Sequence, residues 1–382
     1  MNARWRKLPT AVLLGAAAAG PASAASAAAA DEGIAIGGAV RFQYSYEPFD
    51  QGNRERRGDI DFDTFRINVD GTRDEMELAA DFRHYAYMNV VKFGWVGYRP
   101  WANTQLRAGI VPVPFGNRPL TSHNFFFSTH YYVGLEDDHD LGVAARVEQG
   151  PWRLDLALLK NDEHGGVDGF VSDRTHRYSY DVLGVRAPAE GLHDAPGQPL
   201  GEANTAAARI ARTLAWGPVR LTPSLSGLYG ELHDLDARAG DSRAWALAVD
   251  ADYGRWNLKA QLSDYRHRVN DAQLLAVGAY AFYDTIPASA RIASVNLARS
   301  LPVTFGPISE LQFYNNYSLL YRKSGDLNDT WKNVTGMLVQ AGPVSTYIDY
   351  IVARDHPFIG GSLASGAGER HRRLNINVGY YF

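Results

Sequence analysis

The chain has 382 residues, with 38 Lys+Arg against 42 Asp+Glu (formal charge −4), 21% charged residues and no cysteine. That composition excludes a disulfide-held scaffold and a disordered chain, and the acidic balance argues against nucleic acid as a partner. Past the N-terminus no segment approaches the roughly 20 continuous apolar residues of a membrane helix.

The chain begins with a positive region (Arg4, Arg6, Lys7), an apolar run from Ala11 to Ala19 and the small-residue site Ala22-Ser23-Ala24. This predicts a signal peptide over residues 1–24, cleaved as late as residue 30, and an exported mature domain from 31 to 382. Without those three cations the balance is 35 Lys+Arg to 42 Asp+Glu, about −7.

From Gly33 to Tyr46 the sequence alternates: Val40, Phe42, Tyr44 and Tyr46 on one face, Arg41, Gln43 and Ser45 on the other. Period two is a β-strand with one apolar side. A polar loop, Glu47 to Gly58, precedes a second alternation in which Phe65, Ile67 and Val69 oppose Thr64, Arg66 and Asn68. Ile60 and Phe62 are out of step with it, which predicts a bulge near Asp63, and Asp70-Gly71-Thr72 reads as a tight turn. Leu78, Ala80 and Phe82 then oppose Glu77, Asp81 and Arg83; Val90–Arg99 and Thr104–Val111 follow, joined by Pro100-Trp101-Ala102-Asn103. The interruption from Pro112 to His139 holds Phe125, Phe126, Phe127, Tyr131 and Tyr132, then Glu136-Asp137-Asp138. A connection this long and aromatic is expected to be packed and functional.

The second half repeats a short Gly-centred turn: Gln149-Gly150-Pro151-Trp152, Trp216-Gly217-Pro218-Val219, Tyr253-Gly254-Arg255-Trp256, Phe305-Gly306-Pro307-Ile308 and Ala341-Gly342-Pro343-Val344. A fresh alternating strand follows each, as short turns on one side of a transmembrane barrel would require. The interval from Gly150 to Gly217 is the longest, so Trp152–Lys160 and Thr205–Ala215 are placed in the wall and His176–Arg186 in a large external loop. That gives 16 antiparallel strands; with His176–Arg186 in the wall the count is 18. In the last strand Leu374, Ile376, Val378, Tyr380 and Phe382 share one face, and Arg373, Asn375, Asn377, Gly379 and Tyr381 the other. A chain ending on its most apolar strand resembles the C-terminal strand of bacterial outer-membrane barrels. There Tyr380 and Phe382 would be the signal read by the barrel assembly machinery.

The stretch Gly94 to Gly116, G-W-V-G-Y-R-P-W-A-N-T-Q-L-R-A-G-I-V-P-V-P-F-G, resembles the phosphate-selective porin O and P family, as do F-R-I-N-V-D-G (Phe65–Gly71) and the final strand. The resemblance implies an all-β, 16-stranded transmembrane barrel in the outer-membrane lipid, usually trimeric, with the third loop folded into the channel. Pro114, Phe115, Gly116 and Asp137 would then belong to the constriction. It also implies diffusion of small anionic or hydrophilic solutes.

On the lumen parity sit Arg41, Arg66, Arg83, Arg107, Arg146, Arg153, Arg220 and Arg373. Guanidinium rings favour phosphate and carboxylate oxygens, so an anion-preferring pore is one reading; the other is a mixed-charge, weakly selective lumen in which they pair with Glu77, Asp81, Glu148, Asp155 or the loop acids. Arg107 is expected beside the constriction, where Glu136, Asp137 or Asp138 would neutralise it if in reach. Past the signal lysine is scarce (Lys92, Lys160, Lys259, Lys323, Lys332), so no phosphate-gathering lysine cluster is evident. His123, His130, His139, Ser122, Ser128 and Asp137 occur without a G-x-S-x-G motif, and no enzyme is expected. No zinc spacing or phosphate-cradling loop occurs, and Asp59, Asp61 and Asp63 read as solvated acids, so neither metal nor cofactor is predicted.

Overall fold

The computed structural model describes residues 33–382. The expected signal peptide lies outside the described residues. The wall opens with β1 (Gly33–Tyr46), β2 (Asp59–Arg73), β3 (Met76–His84), β4 (Asn89–Trp101), β5 (Thr104–Pro112), β6 (His139–Gln149) and β7 (Trp152–Asp162). Two short strands, β8 (Asp181–Val185) and β9 (Gln198–Pro199), leave it. It resumes with β10 (Gly201–Arg212) and its continuation β11 (Leu214–Trp216), then β12 (Val219–His233), β13 (Arg238–Tyr253) and β14 (Trp256–Val269). After a second excursion, β15 (Leu274–Ala279) and β16 (Phe282–Pro287), it finishes with β17 (Ser289–Phe305), β18 (Ile308–Tyr321), β19 (Thr330–Ala341), β20 (Val344–Arg354) and β21 (Arg370–Tyr381).

Each wall strand pairs antiparallel with its predecessor, and β21 closes on β1 with Ala39 opposite Tyr381 and Tyr46 opposite Leu374. Taking β10 and β11 as one, the wall is a closed barrel of 16 strands. Closure pairs every strand on both sides, which an apolar membrane interior demands of a β structure. The burial pattern is inverted relative to a soluble sheet. Arg41 and Gln43 are each 1% exposed while Phe42 between them is 50% exposed. The apolar side faces outward and the polar side faces a filled interior.

The expected bulge is present: Arg41 pairs with Thr64 but Phe42 with Phe62, leaving Asp63 as the extra residue. The expected turn at Asp70-Gly71-Thr72 is not. Those residues lie inside β2, paired to β1 on one side and β3 on the other, and the chain reverses at Asp74-Glu75 between paired Arg73 and Met76. A two-sided ladder outweighs the local turn preference of Asp-Gly. The five repeated glycine turns are all present. Each Gly has φ between 54° and 58° and stands first of the two residues between a cross-strand pair. That is the type II′ position, which glycine occupies without a steric cost.

His176–Arg186 stays out of the wall, as the 16-strand reading requires. Its strand β8 joins β15, β16 and β9 in a separate four-stranded sheet. The segment is packed rather than projecting: Tyr178, Tyr180, Val182 and Leu183 are buried with Tyr131, Tyr132 and Tyr280. Phe127 stacks on Tyr131 at 4.0 Å between ring centroids. This aromatic cluster fills the long-loop end of the barrel.

Candidate functional site

The third loop, residues 113–138, leaves β5 and folds into the barrel, where the wall's polar face holds it. Gly116 N donates to Ser226 Oγ (3.0 Å) and Asn117 N to Gln261 Oε1 (2.8 Å). His123 N and Asn124 N both donate to Asn316 Oδ1 at 3.0 Å, and Phe125 N to Asp349 Oδ2 at 3.1 Å. Lys259 Nζ donates to the Leu120 carbonyl (3.0 Å) and Lys332 Nζ to that of Phe126 (2.8 Å). Two of the scarce lysines thus anchor the loop. Pro114, Phe115 and Gly116 sit where it turns inward, and Phe115 is buried in the core.

The expected lumenal arginines divide into two groups. In the long-loop half, Arg41 Nε meets Asp63 Oδ2 at 2.9 Å, and Arg83 grips Asp81 with two bonds of 2.9 and 3.0 Å. Arg66 lies 3.5 Å from Asp81, and Arg373 reaches Glu47 at 2.8 Å. These charges are offset by acids at ion-pair distance. In the short-turn half the balance differs. Asp155 takes Arg146 at 2.9 Å, Arg153 at 2.8 and 3.0 Å, and Arg209 at 3.7 Å. Arg107 lies over the Trp95 ring at 4.5 Å and donates to Gln105 Oε1. Arg118 Nη1 donates to the Val113 carbonyl at 2.6 Å, and Arg209 Nε to that of Gly116 at 2.7 Å. Arg220 lines, with Arg118, Arg153 and Arg209, a cavity of about 360 Å³ that Asp250 and Asp252 also line, Asp252 standing opposite Arg220 on the next strand. Six guanidiniums and three carboxylates (Asp155, Asp250 and Asp252) therefore gather beneath the loop, and of these acids only Asp155 is in an ion pair among the described residues.

Arg118 and Arg209 were missing from the sequence reading. Arg209 lies on the buried parity of β10, where alternation would have found it; Arg118 is on a loop without a period. Asp137 is held by Lys92 Nζ (2.7 Å) and accepts from Tyr178 OH (2.8 Å), and Glu136 accepts from Thr121 N (2.9 Å) and Ser128. No ion pair joins Arg107 to Glu136, Asp137 or Asp138 among the described residues. Asp137 belongs to the loop and pairs at its return with Lys92, and among the described residues it makes no ion pair with the arginine cluster.

The loop histidines do not converge. His123 Nε2 bonds Asn257 Oδ1 at 2.6 Å, His130 Nδ1 meets Ser128 Oγ at 3.0 Å, and His139 lies 3.9 Å from Asp137. Ser128 Oγ donates to Glu136, so the acid contacts the serine and not the imidazole, opposite to a hydrolytic triad. Burial holds His130 down to about 3. At the seam, Phe382 and Gly38 exchange backbone bonds of 2.9 and 3.2 Å, and Tyr380 and Phe382 both face outward.

No family model matches the chain, and no curated protein sequence is similar to it. Solved structures do match. An anion-selective porin from Comamonas acidovorans superposes with a TM-score of 0.58 at 14% identity, over 92% of this chain and all of that one. The fold is that of outer-membrane porins. The outer-membrane channel DcaP of Acinetobacter baumannii shares the porin fold (TM-score 0.57, 11% identity, 93% of this chain and 99% of that one). So does the trimer form of the outer-membrane protein OmpT of Vibrio cholerae (0.55, 12%, 92% and 99%).

Proposed function

We propose that the chain is a porin of the bacterial outer membrane, a passive diffusion channel for small hydrophilic solutes that prefers anions, phosphate among them. The observation that carries the anion preference is the gathering of six guanidiniums, Arg107, Arg118, Arg146, Arg153, Arg209 and Arg220, about three carboxylates, Asp155, Asp250 and Asp252. A guanidinium in a narrow, partly desolvated lumen attracts a passing anion by roughly a few kcal/mol, against about 1 in bulk water. The offset pairs of the long-loop half support a local filter over a continuous ladder. The porin fold and the outward apolar face support the outer-membrane location, and the trimeric OmpT neighbour supports a homotrimer. We assign the chain no enzymatic role, because the loop Ser, His and Glu lack the order in which a base activates a nucleophile.

The test is the zero-current potential in a planar bilayer under a salt gradient. Wild type is expected to favour anions, and Arg107→Ala to lower the anion/cation permeability ratio several-fold. A cation preference in the wild type would overturn the anion assignment. An unchanged ratio in Arg107→Ala would remove that residue from the filter.

A further inference from the structure

The return of the third loop ends against a group of acids that the diffusion pathway does not account for. Asp138 closes the loop, Asp140 lies on β6 and Asp181 opens β8; each brings a carboxylate oxygen within 4.8 Å of the other two, all three residues being buried. Glu202, on β10, joins Asp138 and Asp140 in lining a cavity of about 20 Å³, room for one ion or water. Among the described residues Asp138, Asp140 and Glu202 have no cationic partner, and Arg177, which bridges Asp181, also serves Asp162 and Glu163. Two further groups are left over. Oδ1 of Asp140, a residue 4% exposed, has no hydrogen-bond partner, and neither has the buried Nε2 of His267, which lines the same cavity from β14.

Clustered carboxylates buried without counter-charge are strongly unfavourable. Two oxygens ligating one Ca²⁺ stand at most about 5 Å apart, given bonds of about 2.4 Å, and hard cations take carboxylates from separate segments. We propose that Asp138, Asp140 and Asp181, with Glu202 beside them, form a buried calcium site that staples the third loop's return to the fourth loop and to the wall. The sequence conceals it because its ligands come from three separate stretches and no contiguous motif unites them.

The experiment uses the full mature chain folded in detergent. Calcium retention is measured by equilibrium dialysis, and the midpoint of heat-induced unfolding is read in millimolar calcium and after chelation. Wild type should retain one calcium per chain and gain several degrees in midpoint. Asp140→Asn should lose both, and so should Glu202→Gln, which keeps an acceptor for the Val182 amide (now 3.1 Å from Glu202 Oε1) and guards against misfolding of the first variant. Asp326→Asn, at an exposed loop acid, should behave as wild type. No calcium retained by the wild type, or an equal midpoint shift in wild type and both site variants, would overturn the proposal.

Discussion

A guanidinium attracts a passing anion only to the extent that its own acids leave its charge uncompensated. Arg41 and Arg107 are alike in parity and opposite in circumstance, so their substitutions should separate two observables. Arg41→Ala leaves Asp63, 0% exposed, as an unpaired buried charge, and should cost about 3–5 kcal/mol of stability with little change in selectivity. Arg107→Ala should do the reverse, and thermal unfolding run beside zero-current potentials reads both. His123 supplies a pH prediction. Burial, aided by Lys259 and opposed by the Asn257 bond, holds its imidazole down to about 4. With Nε2–H donated to Asn257, its Nδ1 accepts from Asn316 Nδ2 at 3.1 Å, and a second proton would face that amide. Between about pH 6.5 and 4 the unfolded chain binds a proton that the folded one refuses, so stability is full above this window and falls as pH drops through it. The loss should be on the order of 2 kcal/mol by pH 5. Amide exchange over residues 120–127, corrected for intrinsic rates, should show weaker protection at pH 5 than at pH 7, and His123→Gln should flatten the difference. Parity found Arg107, Arg146, Arg153 and Arg220 because alternation alone sends a side chain indoors. Their acid is a neighbour in register as well, Asp155 standing opposite Arg146 across the β6–β7 hairpin and opposite Arg209 on β10; what no alternation reveals is Arg118, carried in by a loop without a period.

At the scale of elements, the strands and glycine turns were legible because each is a local pattern: period two for the wall, a positive-φ glycine at the reversal. Asp70-Gly71 misled for the complementary reason, its conformation being settled by partners on β1 and β3 and not by its own preference. The inner sheet was illegible as a sheet, for β8 and β15 find each other only once the barrel has brought their loops together. The seam carries the element-level prediction. Phe382 exchanges two backbone bonds with Gly38 and places its ring outward, while Tyr381 is on the opposite parity. Deleting Phe382 should therefore reduce heat-modifiable, inserted barrel far more than Tyr381→Ala does; equal yields would leave the terminal residue without a special part in assembly.

For the molecule as a whole, short reversals and long connections segregate to opposite ends of the barrel, so accessibility should segregate too. A protease site inserted at Gly191, in the long connection between β8 and β9, should be cut from outside intact cells. One inserted at Gly342 should be cut only from the periplasm. Inverted accessibility would overturn the assigned orientation. The β1–β21 seam has a kinetic side as well. It pairs Ala39 with Tyr381, nearly the greatest sequence separation the chain allows. No amount of local structure can substitute for that contact, and the entropy of closing so long a loop precedes any return from it, which makes for slow folding. Until the final residues arrive, every partial sheet carries two bare edges able to pair with another chain. A polypeptide built this way cannot complete itself as it emerges from synthesis. It has to be kept apart from its own copies until its last strand is in hand.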